Sequence, residues 1–242
     1  MAERYQINEG VVIRRHELTS GDVIVTLLGE HGKWQAKVRK GKRPGGHLGK
    51  LSLFHDVTAQ YYRKTEDNLA VLTQVQLNGA LPRLSDPAIY PYAHVLAELV
   101  DKLTVDVHIG EDIYKYFVSS LRGLNQGESP AQITIVYAWR LLQTAGLSPR
   151  VKSCVLCGSS DLDQRFDIAL GGVTCQTCAR GYPISADLLT DLQAIHSLSV
   201  RDTLARGLTN PDEHFRLLSR FLAYHVTELN SLASLTQLTT HD

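Results

Sequence analysis

Several residue classes are scarce in this 242-residue chain, and no sign of charge dominates it. One methionine, two tryptophans and four cysteines are present, and the formal net charge is zero. A neutral chain has no overall pull on polyanions, so any affinity for nucleic acid must come from a local excess of cations. No run of 18 apolar residues occurs, which excludes a transmembrane helix. The N-terminal stretch MAERYQINEG is charged and lacks the apolar core of a secretory leader, so a cytoplasmic chain is expected. Catalytic signatures are missing too. There is no G-x-x-x-x-G-K-[ST], G-x-S-x-G, H-E-x-x-H or G-x-G-x-x-G. The ten histidines are scattered, and the acid pairs Glu111–Asp112 and Asp212–Glu213 fall at expected helix starts, where the macrodipole accounts for them. The expectation is a protein that is not an enzyme.

What is present is concentrated. All four cysteines lie between Cys154 and Cys178 as two C-x2-C pairs, Cys154/Cys157 and Cys175/Cys178, separated by 17 residues. Structural disulfides, a redox pair and a metal tetrahedron compete for this pattern. Thiols stay reduced in the cytosol, and a redox C-x-x-C usually occurs singly beside a βαβ unit. The doubled spacing matches a zinc ribbon, in which each tight knuckle aims two sulfurs at one ion. Gly171–Gly172 is expected to turn a strand pair, Arg165–Leu170 and Val173–Cys175, between the knuckles. Four thiolates leave no position for water, so one structural, non-catalytic Zn2+ per chain is expected.

The first 80 residues read as five short strands: EGVVIRRH, GDVIVTLLG, GKWQAKVRK, HDVTAQYYRK and NLAVLTQVQL. Five strands without an early helix suggest a small barrel or sandwich, and an OB-fold has that count. The period then changes. Ile89, Ala93, Leu96, Val100 and Leu103 mark an amphipathic helix, and a second covers Asp112–Leu124. A third is expected from Pro130, with Ser129 and Gln132 forming a capping box, to a stop at Gly146. After the ribbon, helices resume at Ser185, near VRDTLA, and from Asn210-Pro211, the last carrying Leu218, Phe221, Leu222, His225, Leu229 and Leu232. The expected class is α+β: an OB-fold barrel over 1–80, helices over 81–150 and 184–242, and a four-cysteine zinc ribbon over 151–183 inserted in or beside them.

Charge is distributed unevenly along this plan. Residues 31–64 hold nine Lys or Arg and a single acid, Asp56. Strand alternation places Trp34, Ala36 and Val38 on the core face, and Lys33, Gln35, Lys37 and Arg39 on the outer face. The cationic row continues through Lys40, Lys42 and Arg43 to Lys50, with Lys64 beyond, and such a row serves phosphates well. Tyr62, also outward by alternation, is the stacking candidate for an unpaired base. No helix-turn-helix or RNP-like motif occurs, so backbone contacts rather than sequence readout are expected. Two alternatives remain open: a zinc-ribbon adaptor whose basic strand docks on another protein, and a nucleic-acid enzyme whose residues form no recognisable motif.

Two stretches carry a resemblance. EGVVIRRHELTSGDVIVTLLGEHGKWQAKVRKGKR and YAWRLLQTAGLSPRVKSCVLCG are similar to the N-terminal barrel and to the helix end before the first C-x-x-C in the RecO family of bacterial recombination mediators. This chain has Tyr137-Ala138 where that family often has Phe-Glu, and it keeps all four cysteines, which many relatives lack. The resemblance implies an OB-fold, a helical domain, a zinc ribbon and a non-catalytic, nucleoid-associated protein. It also implies binding of single- and double-stranded DNA, annealing of complementary strands and, with RecR, assistance to RecA in replacing the single-strand DNA-binding protein. An acidic, apolar protein tail would dock on the helices, with Arg122 and Arg140 as candidate cations.

Overall fold

The computed structural model describes residues 5–39, 47–64, 69–104 and 111–239. Five strands, β1 (Tyr5–Glu17), β2 (Val23–Gly29), β3 (Gly32–Val38), β4 (Asp56–Tyr62) and β5 (Ala70–Gly79), form a closed barrel in the order β1-β2-β3-β5-β4. The length of β1 makes closure possible. Its first half, Tyr5–Val11, pairs with β4, and its second half, Val11–Glu17, pairs with β2, with a register irregularity between Val12 and Arg14. All pairings are antiparallel except β3–β5, where Ala36–Lys37 meet Ala70–Val71 in parallel.

Alternation fails in two places, Val11-Val12-Ile13 and Leu27-Leu28, because both faces are buried there. Val12 and Leu27 point into the barrel with Val23, Val25, Ala36, Val57 and Ala59. Val11, Ile13 and Leu28 join Phe54 in the core that the helices build. The barrel is thus welded to the rest of the molecule through its own strands.

Seven helices follow among the described residues: α1 (Tyr90–Leu103), α2 (Glu111–Gln126), α3 (Pro130–Thr144), α4 (Ala186–Ser197), α5 (Val200–Arg206), α6 (Pro211–His225) and α7 (Asn230–Thr239). Helix α3 is buried over Ile133–Trp139 and again at Leu141 and Leu142, so it is apolar nearly all round and sits at the centre, packed by α1, α2, α4, α5 and α6. Three local details differ from expectation. The Ser129 side chain makes no cap bond, so no capping box forms, while Gly146 does take positive φ (80°) after α3. The last apolar stretch is two helices, not one. Glu98 of α1 accepts hydrogen bonds from the backbone N–H groups of Asn230 and Ser231 and from Ser231 Oγ, giving α7 its own N-terminus across the core.

The third difference is in the ribbon between α3 and α4. Strands β6 (Arg165–Asp167), β7 (Gly172–Val173) and β8 (Tyr182–Pro183) form a sheet in the order β7-β6-β8. Gly171 makes the expected turn at φ 67°. Its flanking strands are shorter than expected because Cys175 already belongs to a knuckle, and β8, containing a proline, gives no strand signal. The ribbon is docked on α6. Phe166 and Val173 enter the helical core, His225 Nε2 lies 2.7 Å from the Ile168 carbonyl, and the Arg220 guanidinium stands 4.8 Å from the Tyr182 ring centre.

Candidate metal centre and nucleic-acid surface

The two knuckles are built alike. In the first, the Gly158 N–H donates to the Cys154 carbonyl (2.9 Å); in the second, the Ala179 N–H donates to the Cys175 carbonyl (2.9 Å). Each closing residue has positive φ, 79° at Gly158 and 46° at Ala179. That conformation turns the chain tightly enough for both cysteines of a pair to face one point. The result brings all four Sγ atoms within 4.8 Å of one another, with Cys157 Sγ to Cys175 Sγ at 3.6 Å. A tetrahedron with Zn–S bonds near 2.3 Å has sulfur–sulfur edges of about 3.8 Å. The cluster therefore fits a metal ion, and its all-sulfur donor set is consistent with zinc. Cys154 and Cys175 are buried, Cys178 is half-buried and Cys157 is exposed.

The Cys154 and Cys178 thiols are strongly biased by their surroundings. Burial pushes Cys154 up, but hydrogen bonds from the backbone at Cys157, Leu156 and Cys175 outweigh it and bring the thiol down to about 6. Hydrogen bonding to the Cys175 and Cys157 sulfurs, with burial, pushes Cys178 up to about 12. A bound cation favours the thiolate form of every sulfur that coordinates it.

The basic row is less free than its spacing suggests. Alternation holds: Ala36 and Val38 are buried, and Lys33, Gln35 and Lys37 face outward. Yet Lys33 Nζ lies 2.8 Å from the Asp101 carboxylate and 2.7 Å from the Asp101 carbonyl, fastening β3 to the end of α1. Arg14 also reaches Asp101, at 3.6 Å. Lys37 pairs with Asp22 at 2.7 Å. The Lys50 ammonium donates to the Val75 carbonyl (3.1 Å), while its residue stays exposed. Arg39 and Lys64 are exposed and pair with no acid among the described residues. Lys40, Lys42 and Arg43 lie outside the described residues. Tyr62 is half-buried against Tyr5, ring centres 5.4 Å apart. Of the two helix cations, Arg122 is exposed on α2, whereas Arg140 donates to Gln143 and to the Leu198 carbonyl that ends α4.

Trp34 is not fully inside the barrel. It is half-buried at one end, stacked on Tyr61 (4.9 Å, 28°), and borders a cleft of about 880 Å³ that also touches Ile7, Glu9, Glu30, Arg63 and Tyr114. The Arg63 guanidinium lies 5.8 Å from the Tyr61 ring centre. Neither the Trp34 Nε1–H nor the Arg63 Nε–H, both buried, has a hydrogen-bond partner. Alternation assigns Trp34 to the core and cannot show that the core opens beside it. Arg63 is missing from the sequence expectation, although its place in the YYRK stretch, next to Tyr61 and Tyr62, is a usable signal.

Known proteins show the same division of the chain. A family model described as Recombination protein O N terminal matches residues 1–80, and one described as Recombination protein O C terminal matches residues 84–233. The chain is 31% identical over 172 residues to the DNA repair protein RecO of Bacillus subtilis, covering 70% of this chain and 67% of that one. It is 33% identical over 181 residues to the protein of that name from Cutibacterium acnes, covering 71% and 73%. For the Bifidobacterium longum protein the identity is 32% over 209 residues, covering 83% and 82%. With one match spanning the barrel, another spanning the helices and ribbon, and relatives above 30% identity over most of their length, the chain belongs to the RecO family.

Proposed function

We propose that this chain is a non-catalytic DNA-binding protein of recombinational repair. In this reading it binds single- and double-stranded DNA and anneals complementary strands. With RecR it helps RecA load onto DNA covered by the single-strand DNA-binding protein. The family match carries the proposal, since each named relative is a DNA repair protein. The barrel supports it: five strands with Greek-key order, a parallel β3–β5 contact and closure through β1–β4 suit an OB-fold, a common single-strand binder. Arg39 and Lys64, with the adjoining Lys40, Lys42 and Arg43, supply the phosphate contacts. Zinc holds the ribbon in shape and takes no part in chemistry.

A salt titration of DNA binding tests the reading. Log affinity falls linearly with log salt, by about 0.7 per phosphate contact on single strands and about 0.9 on duplex. Replacing Arg39 and Arg43 by Glu shallows both slopes and weakens all sequences alike, because phosphate contacts position without specifying. An unchanged slope in a folded double variant would refute the assignment. Single-strand affinity that is insensitive to salt would refute phosphate binding as a whole.

A further inference from the structure

Among the described residues, the closed barrel is most sparsely paired beside Trp34. Strand β3 meets β5 only through Ala36 and Lys37, so Gly32–Gln35 have β2 on one side and, among the described residues, no strand partner on the other. The first half of β1 likewise pairs with β4 alone until Val11. The cleft opens between these two edges, and α2 contributes Tyr114 to its rim. Its size lies within the usual range for small-ligand sites, about 300–1,000 Å³.

The lining selects the occupant. Trp34 and Tyr114 are both half-buried and offer ring surface, and the stack on Tyr61, itself held by the Asn8 side chain (2.9 Å), fixes the indole. The two buried N–H groups without partners, Trp34 Nε1 and Arg63 Nε, belong to residues of this lining. A buried donor without an acceptor is costly, so a ligand that supplies acceptors is favoured. A phosphate suits the cleft poorly. Glu9 and Glu30 line it, and Lys33, a lining residue, is paired with Asp101. A flat, neutral ring bearing carbonyl or ring-nitrogen acceptors satisfies both the aromatic surface and the donors.

We propose that this cleft receives an unstacked nucleobase of single-stranded nucleic acid, with Trp34 and Tyr114 as its ring contacts and Arg63 as a donor at the rim. The proposal rests on the nucleic-acid-binding reading above and adds a base-dependent site to it. Duplex DNA, whose bases are stacked and paired, does not enter. The cleft therefore gives the protein a preference for single strands that cations alone would not provide.

The test compares a thymine oligomer with an abasic oligomer of equal length, which has the same phosphates and no bases. A Trp139→Phe background leaves Trp34 as the only tryptophan. The thymine oligomer is expected to quench Trp34 fluorescence and bind about 5- to 150-fold more tightly than the abasic one, the range for one stacked base. Trp34→Leu or Arg63→Gln should reduce that ratio while leaving abasic binding within about twofold for Trp34→Leu. If a substitution prevents folding, photocrosslinking of an iodouracil oligomer to the unmodified protein gives the same answer, with adducts expected at Trp34 or Tyr114. Equal affinity for the two oligomers, no quenching and crosslinks only elsewhere would overturn the cleft proposal, leave phosphate binding standing and favour an apolar peptide as the occupant. Failure of both oligomers to bind would instead overturn the nucleic-acid reading, and the cleft proposal with it.

Discussion

The barrel and the ribbon are both small β structures, but they are held in different ways. The barrel closes around its own interior, with Val12, Val23, Val25, Leu27, Val38, Val57 and Tyr61 among the residues sealed inside. The ribbon has three strands of two or three residues, too short to enclose a core. Its apolar side chains, Phe166 and Val173, are lent to the helices, and its other end is gathered by four sulfurs. A sheet that encloses nothing needs a ligand at one end and a host at the other. Removing either should undo the ribbon and spare the barrel.

The largest effect expected is from the metal end. Cys175→Ser should lower stability by roughly 4 kcal/mol or more, a size characteristic of losing a metal site. Hydrogen exchange should show protection lost over residues 150–184 and the faces of α3 and α6, with β1–β5 unchanged. Metal analysis showing no stoichiometric zinc in the native protein would contradict the premise. Next come the hosts. Phe166→Ala should cost about 3–5 kcal/mol and Leu27→Ala about 2–5 kcal/mol, each opening a cavity in a different core. The sharper readout is location: Phe166→Ala should expose the ribbon and α6, and Leu27→Ala the barrel. Identical exchange patterns would mean one cooperative unit.

Acid should separate the regions further. Asp191 is buried, which raises its carboxyl, but hydrogen bonds from His214, Arg206 and Thr209 outweigh burial and hold it well below the usual carboxylate range. A carboxylate with a lower pKa in the folded state stabilises fully above its unfolded value near 4, and that stabilisation is lost as pH falls toward the folded value. Denaturant melts between about pH 5 and pH 3 should therefore show the helical region weakening, and Asp191→Asn should flatten that dependence. Asp101→Asn should have a smaller effect, about 1–3 kcal/mol, because Lys33 loses a partly buried partner. The same change should raise single-strand affinity, since Lys33 and Arg14 become available to phosphates; unchanged or weaker binding would place that face outside the DNA path. The smallest effect is at Ala179. Its left-handed φ of 46° is one that glycine adopts freely, so Ala179→Gly should stabilise the knuckle by about 0.5–1 kcal/mol in thermal melts.

The same two regions explain what the amino-acid order could convey. The knuckles are local: five consecutive residues set each turn, so C-x2-C reads directly as geometry. The five strands were legible because most have one wet face, and the first three helices because their apolar period was clean. Charge was a different matter. Lys37 finds Asp22 across a hairpin, a partner that register could have supplied, but Lys33 finds Asp101 from 68 residues away. No local pattern records that a cation is already spent. The break between α6 and α7 had the same origin, since the group that starts α7 is Glu98 on another helix. The opening beside Trp34 depends on where β5 begins opposite β3, a property of pairing rather than of either strand alone.

Strand β1 has a mechanical implication. Adjacent residues of one strand serve two cores, Val12 the barrel and Val11 and Ile13 the helices. Swinging the barrel away would bring Val11, Ile13, Leu28 and Phe54 into water, at roughly 1.5–3 kcal/mol for each large side chain. The joint therefore has no slack of the kind a flexible tether provides. A force applied to the barrel passes through this packing into α1 and onward to α3, so the two cores turn together.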